Sequence, residues 1–121
     1  CILHTKFIPQ SLVKYYYAAS DLVVLPYKRI YQSGVLMMTL SYNKPVLVSD
    51  LPPLTEVIND KINGYVFKSE DSNNLALKLN EIFFESEKLL DISNQGFKDV
   101  KEKFDWNSIG YLTYKAYASI Y

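Results

Sequence analysis

The chain is 121 residues long, one domain's worth, and its 49% hydrophobic and 21% charged residues form an ordinary globular composition able to bury a core. Its 13 basic and 13 acidic residues cancel, so charge gives no argument for a nucleic-acid partner. One cysteine, Cys1, excludes an internal disulfide, and no apolar run reaches the roughly 18 residues that a membrane span needs.

The first residues do not read as a secretory leader. They open on Cys1 rather than Met, so the chain reads as cut from something longer or as processed. A lipidated Cys1 is disfavoured because Ile2-Leu3-His4-Thr5-Lys6-Phe7-Ile8 reads as a strand, not a tether. Eleven tyrosines are many for this length. Tyrosine has an apolar body and a polar tip, so the excess implies a face covered by another domain or by a lipid headgroup layer.

Residues 2–5 are expected to form a strand, with a turn at Pro9. Ser11 is positioned to cap a helix over 12–19, with Leu12, Val13, Tyr16 and Tyr17 on one face. Asp21 leads into a strand over 22–26. A short polar loop, Tyr27-Lys28-Arg29-Ile30-Tyr31-Gln32, then ends in Ser33-Gly34 and opens onto a helix over 33–42. Val35, Leu36, Met37, Met38 and Leu40 leave that helix almost no polar face, which predicts deep burial. Asn43 and Lys44-Pro45 stop it, because Asn tolerates the left-handed position and Pro cannot continue a helix.

Val46-Leu47-Val48-Ser49 is a short continuous apolar run, the mark of a strand buried on both faces. Pro52-Pro53 breaks the chain, and a short helix follows with Leu54, Val57 and Ile58. Asn63-Gly64 reads as a turn and 65–67 as the last strand. Three helices complete the chain: 73–85 capped by Ser72, about 87–103, and a last one capped by Asn107 with Ile109, Leu112, Ala116, Tyr117 and Ile120 at helical spacing.

Strands alternating with helices imply an α/β fold. It is a partial doubly wound, Rossmann-like parallel sheet of about four strands, with helices on both faces and a helical C-terminus. Because such sheets commonly have five or six strands, residues 1–121 read as one domain that is the second half of a larger one.

The chemistry concentrates at Gln32-Ser33-Gly34. Free N–H groups and a helix dipole at the carboxyl end of a strand suit an anion, above all a nucleotide diphosphate. Gly34 lets the backbone approach closely, Ser33 adds a hydroxyl, and the N–H groups of Ser33, Gly34 and Val35 supply the rest. The plainer alternative is that Ser-Gly is only a helix cap. Glu56 is read as a favourable charge at a helix N-terminus, His4 as packed or solvated, and Lys44 as a solvated turn lysine more than a phosphate ligand. With His4 the only histidine and no cysteine pair, no metal-ligand spacing occurs.

Residues 6–68 carry a wider pattern. Phe7-Ile8-Pro9, the run from Tyr15 to Tyr27, Gln32-Ser33-Gly34-Val35-Leu36, the run from Asn43 to Asp50, Leu54-Thr55-Glu56-Val57-Ile58 and Asn63-Gly64-Tyr65-Val66-Phe67 resemble, in order and spacing, the C-terminal half of a family-four (group 1) retaining glycosyltransferase of the GT-B fold. The loop resembles the subgroup with Gln-Ser-Gly where other members have Gly-Phe-Gly. Phe104-Asp105-Trp106 is similar to the family's closing motif.

The resemblance implies binding of a nucleotide-diphosphate sugar as donor substrate, with no cofactor and no metal. Ser33, Gly34 and Val35 would meet the diphosphate or donor sugar, with Gln32 on the sugar and Tyr27 and Lys28 flanking. It implies no catalytic residue in these 121 residues. The hexose acceptor, a polysaccharide or glycolipid, would be held by a separate N-terminal domain, and the protein would be cytoplasmic and peripheral at the inner membrane face through that domain. Many members carry two glutamates at the positions of Ile30 and Met38. Met38 thus falls on the nucleotide side, and neither residue accepts a hydrogen bond from a hydroxyl. Their absence points to the alternative of a non-catalytic GT-B-like interaction module. Flavodoxin-like and receiver-like domains fit less well, since Thr5-Lys6-Phe7-Ile8-Pro9 is not a phosphate loop and only Asp21 and Asp50 approach an acidic cluster.

Overall fold

Three short apolar runs become the sheet. In the computed structural model, which describes residues 2–120, β1 (Val23–Leu25), β2 (Val46–Ser49) and β3 (Tyr65–Phe67) pair in parallel in that order. Val24 lies opposite Leu47, and Leu47 opposite Tyr65. α1 (Gln10–Ala19) precedes β1, and α2 (Gly34–Ser41) and α3 (Pro52–Thr55) run between the strands. After them come α4 (Ser72–Phe84), a 3-10 turn over Ser86–Lys88, α5 (Leu89–Lys103) and α6 (Trp106–Ala118). Cys1 and Tyr121, and with them the reading of Cys1, lie outside the described residues.

β2 is buried along its whole length, as a central parallel strand requires. Its side chains alternate between two cores. Val46 and Val48 join Leu25, Leu36, Leu40, Leu54 and Ile58 on one face. Leu47 joins Tyr65, Phe67, Ile82 and Ile92 on the other. Layers of helix on both faces of a parallel sheet are thus present.

The sheet has three strands, not four. The strand expected over 2–5 does not form, and Ile2 and Leu3 stand 84% and 80% exposed. A strand exists only through a partner's backbone, and this segment instead lies by α1, where the His4 ring meets Tyr16 edge-on. The outer edge of β1 is therefore unpaired among the described residues.

The helix starts also shift. α1 begins at Gln10 behind Pro9, with Ser11 inside the helix and no side-chain cap. Asp71, not Ser72, caps α4 by accepting from the Asn74 N–H, and Asp105, not Asn107, caps α6 by accepting from Ser108. A carboxylate one or two residues upstream won each of these two positions, since it accepts the first-turn N–H and also favours the dipole.

Asn43 adopts φ 53° after α2, as expected of a left-handed stop. Lys44 is half-buried, and its Nζ is engaged: it donates to the carbonyls of Ala18 and Ser20 at 3.2 and 3.0 Å, closing the end of α1. At the Asn63-Gly64 turn the positive φ falls on Lys61. Gly64 is required for another reason, since a Cβ there would lie 2.9 Å from the Ile58 side chain. α2 buries Leu36, Thr39 and Leu40 but leaves Val35 and Met38 half open, so it is less deeply buried than its composition predicts. α6 buries no residue at all among those described.

Candidate functional site

The loop from Pro26 to Ser33 leaves the carboxyl end of β1 and is held at three points. At its start the Tyr27 carbonyl accepts hydroxyl hydrogen bonds from Ser49 at 2.8 Å and Ser69 at 3.3 Å. In the middle Ile30 packs against the core of Leu25, Leu36 and Val48. At its end Ser33 caps α2, its Oγ accepting the Leu36 N–H at 3.0 Å.

That cap spends one lone pair of Ser33 and leaves its O–H proton without an acceptor among the described residues. The cap reading of Ser-Gly is therefore correct, and it does not consume the site. The N–H groups of Gly34 and Val35, at the first two helical positions, have no intrahelical acceptor and bond to nothing described. A Cβ built on Gly34 meets nothing within 4 Å. The positive end of α2 thus faces open space.

That space is a groove of about 620 Å³, lined by Tyr31, Gln32, Ser33, Gly34, Leu36 and Met37 on one side and by Pro53, Glu56, Val57 and Phe104 on the other. The size lies within the range of about 300–1,000 Å³ typical of ligand pockets. Glu56 is the one charged side chain lining it. It sits at the C-terminal cap of α3, not in a first helical turn, so the reading of a favourable N-terminal charge does not hold.

Of the residues singled out in the sequence, the structure brings Gln32, Ser33 and Gly34 together in this groove. Tyr27 and Lys28 line a separate depression of about 270 Å³ with Phe67, Glu70 and Asp71. The side chains of Val35 and Met38 turn into a third, apolar groove of about 570 Å³ with Val13, Tyr16, Tyr17 and Val24. Val35 thus lines this third groove and not the main one, where its neighbour Gly34 lies. Phe104 was legible only as part of a closing motif, and Tyr31, Pro53 and Val57 carried no signal beyond their neighbours.

The groups whose ionisation the fold perturbs lie elsewhere. The Glu81 carboxyl is held low by the hydrogen bond from Lys61, and burial pushes the Tyr65 phenol up. Among the described residues no group of three or more His, Cys, Asp or Glu is placed to hold a metal ion. No helix among them is long and apolar enough to cross a membrane.

Residues 2–99 match the family model for glycosyl transferases group 1. The chain is 30% identical over 100 residues to a GDP-mannose:glycolipid 4-beta-D-mannosyltransferase of Xanthomonas campestris pv. campestris, covering 83% of this chain and 27% of that enzyme. It is similar in fold to Alr3699/HepE of Anabaena, solved in complex with UDP, with a TM-score of 0.80, 21% identity and coverage of 86% of this chain and 29% of the other. It is also similar to the C-terminal domain of the group 1 protein LpcC of Francisella tularensis, with a TM-score of 0.74 and 22% identity, covering 84% of this chain and 52% of that domain. The chain thus spans less than a third of the length of the curated relatives it matches.

Proposed function

The chain belongs to the group 1 glycosyl transferases, and from that premise we propose that residues 1–121 form the C-terminal part of a domain that binds a nucleotide-diphosphate sugar. The donor's diphosphate would sit against the N–H groups of Gly34 and Val35 and the Ser33 hydroxyl. Those donors converge without an intervening side chain, at the positive end of a helix. The single observation that carries this reading is the unpaired amide of Gly34, which lines the groove, with that of Val35, also unpaired, next to it in the same helical turn. In a water-poor cleft such donors stabilise charge that develops on the leaving diphosphate, and no metal or cofactor is invoked for it. Gln32, at the groove's rim, is assigned to the sugar. Tyr27 and Lys28 flank the loop's start; Met38, which the resemblance put on the nucleotide side, lies instead in the separate apolar groove with Val35.

The unpaired edge of β1 and the apolar groove beside Val35 and Met38 support a larger domain, in which a further strand and helix cover both. The covering of about half of the LpcC C-terminal domain is in keeping with that. The relatives' names supply the donor classes to test, a GDP-sugar and a UDP-sugar. The acceptor, a polysaccharide or glycolipid, is assigned to a separate N-terminal domain. That domain would place the protein in the cytoplasm, peripheral at the inner membrane face. On this reading the 121 residues alone transfer no sugar.

One observation favours a second reading, a non-catalytic module on the same fold. Ile30 packs into the core and Met38 lies in an apolar groove, so the positions where many members place glutamates offer no carboxylate to a hydroxyl. Calorimetric titration of the full-length protein with UDP and GDP separates the two. Saturable binding of either supports the donor role; no binding of either at millimolar ligand leaves the module.

A further inference from the structure

We infer that Ser49 is a positioning residue for the donor loop: its hydroxyl, together with that of Ser69, fixes the Tyr27 carbonyl and so the aim of the Gly34 and Val35 amides. The inference rests on the donor-binding reading of that loop.

Ser49 closes an otherwise wholly apolar strand and is 0% exposed. A hydroxyl at such a place is unfavourable unless it is bonded. Its Oγ lies 2.8 Å from the Tyr27 carbonyl and 3.4 Å from that of Leu25. With one proton to give, it donates chiefly to Tyr27. Ser69 reaches the same carbonyl at 3.3 Å from beyond β3. Ser69 is itself held, because its N–H donates to Asp50 Oδ1 at 2.7 Å, and the Asp50 N–H donates to the Phe67 carbonyl at 2.9 Å. The carboxyl ends of all three strands are thereby tied to one oxygen atom at the loop's first turn.

The rest of the loop has little else. Lys28, Arg29, Tyr31 and Gln32 make no hydrogen bond among the described residues, and Tyr31 is 95% exposed. Between Tyr27 and Ser33 only Ile30 holds the path. Removing the clamp therefore loosens the approach to α2 while leaving β2 filled, since Ala occupies the same space as Ser without its oxygen.

The test uses the full-length protein with Ser49→Ala, and Ser69→Ala as the partly exposed alternative should the first variant fold poorly. Tryptic cleavage after Lys28 and Arg29, both exposed in the loop, is followed with cleavage after Lys61 as control, and UDP and GDP are titrated. The expected result is cleavage about tenfold faster after Lys28 and Arg29 with that after Lys61 unchanged. Affinity for whichever nucleotide the parent binds should fall about five- to tenfold, and further in the double variant. Unchanged cleavage after Lys28 and Arg29 overturns the inference, as does an equal rise after Lys61, which marks a merely structural serine. A parent that binds neither nucleotide overturns the donor reading and the positioning role with it; unaltered affinity in variants of a binding parent overturns the positioning role alone.

Discussion

Asn63 donates to Asp99 at 2.6 Å, and this bond fastens the turn before β3 to α5. Asn63 is 1% exposed and otherwise satisfied, accepting from the Asn59 N–H at 2.7 Å and donating to the Val57 carbonyl at 3.0 Å. Asn63→Ala strands three polar partners at once. Thermal and denaturant unfolding of the full-length protein should show a loss of about 1–3 kcal/mol, since the three partners are part-buried and water replaces some of the lost bonds.

Gly96 on α5 marks the closest approach of that helix to the same turn. A Cβ there would fall 2.8 Å from the Asn63 carbonyl oxygen and 2.8 Å from Leu40 Cδ2. Backbone cannot yield as a side-chain end can. Gly96→Ala, favourable to a helix by propensity, should instead destabilise by about 1–3 kcal/mol, whereas Gly110→Ala on α6, where a Cβ meets nothing, should not. Paired unfolding curves check the contrast.

Tyr65 is buried, yet its Oη has no hydrogen-bond partner among the described residues. Tyr65→Phe keeps the ring and removes the unsatisfied group, so it should be neutral or stabilising by up to about 1 kcal/mol. Burial first, then the charges of Glu85 and Glu81, raise its folded pKa. The folded state therefore holds this proton more tightly than the unfolded one. The resulting stability is present below the ordinary phenol value and is lost as pH rises through the raised one. Unfolding curves at alkaline pH should fall less steeply in the variant.

Glu81 bonds Lys61 and faces Lys78, which also reaches Asp60 at 3.2 Å. The hydrogen bond from Lys61 is the main cause of its lowered pKa, and the same bond raises that of Lys61. For Glu81 the stabilisation is present above the ordinary carboxylate value and is lost as pH falls through the lowered one. Glu81→Gln should flatten the acid limb of the stability profile. The pair is exposed, so the effect should be small and shrink further in about 1 M salt.

The sheet was legible because period and breakers agree: Val46-Leu47-Val48 between Pro45 and Pro52-Pro53 leaves little choice but a buried strand. The segment 2–5 has strand-forming residues too, but propensity cannot supply the neighbouring backbone that a strand needs. The Gln32-Ser33-Gly34 turn was legible as a helix start after a strand. The far wall of its groove was not, because Glu56 and Phe104 arrive from distant sequence. The tie made by Lys44 was hidden for a similar reason, since its acceptors at Ala18 and Ser20 belong to another helix's end. The open side of α2 shows the limit of composition: an all-apolar helix reads as buried whether or not its neighbour is at hand.

The most direct measurement is calorimetric titration of the full-length protein and its Ser33→Asp variant with UDP and GDP. Asp caps a helix as well as Ser does, so the variant should melt at nearly the parent's temperature. Its carboxylate would stand where the phosphates approach the Gly34 and Val35 amides. Binding of one nucleotide by the parent, weakened about a hundredfold or more in the variant, is the expected result. Equal affinity in the two proteins would show that the start of α2 holds no diphosphate.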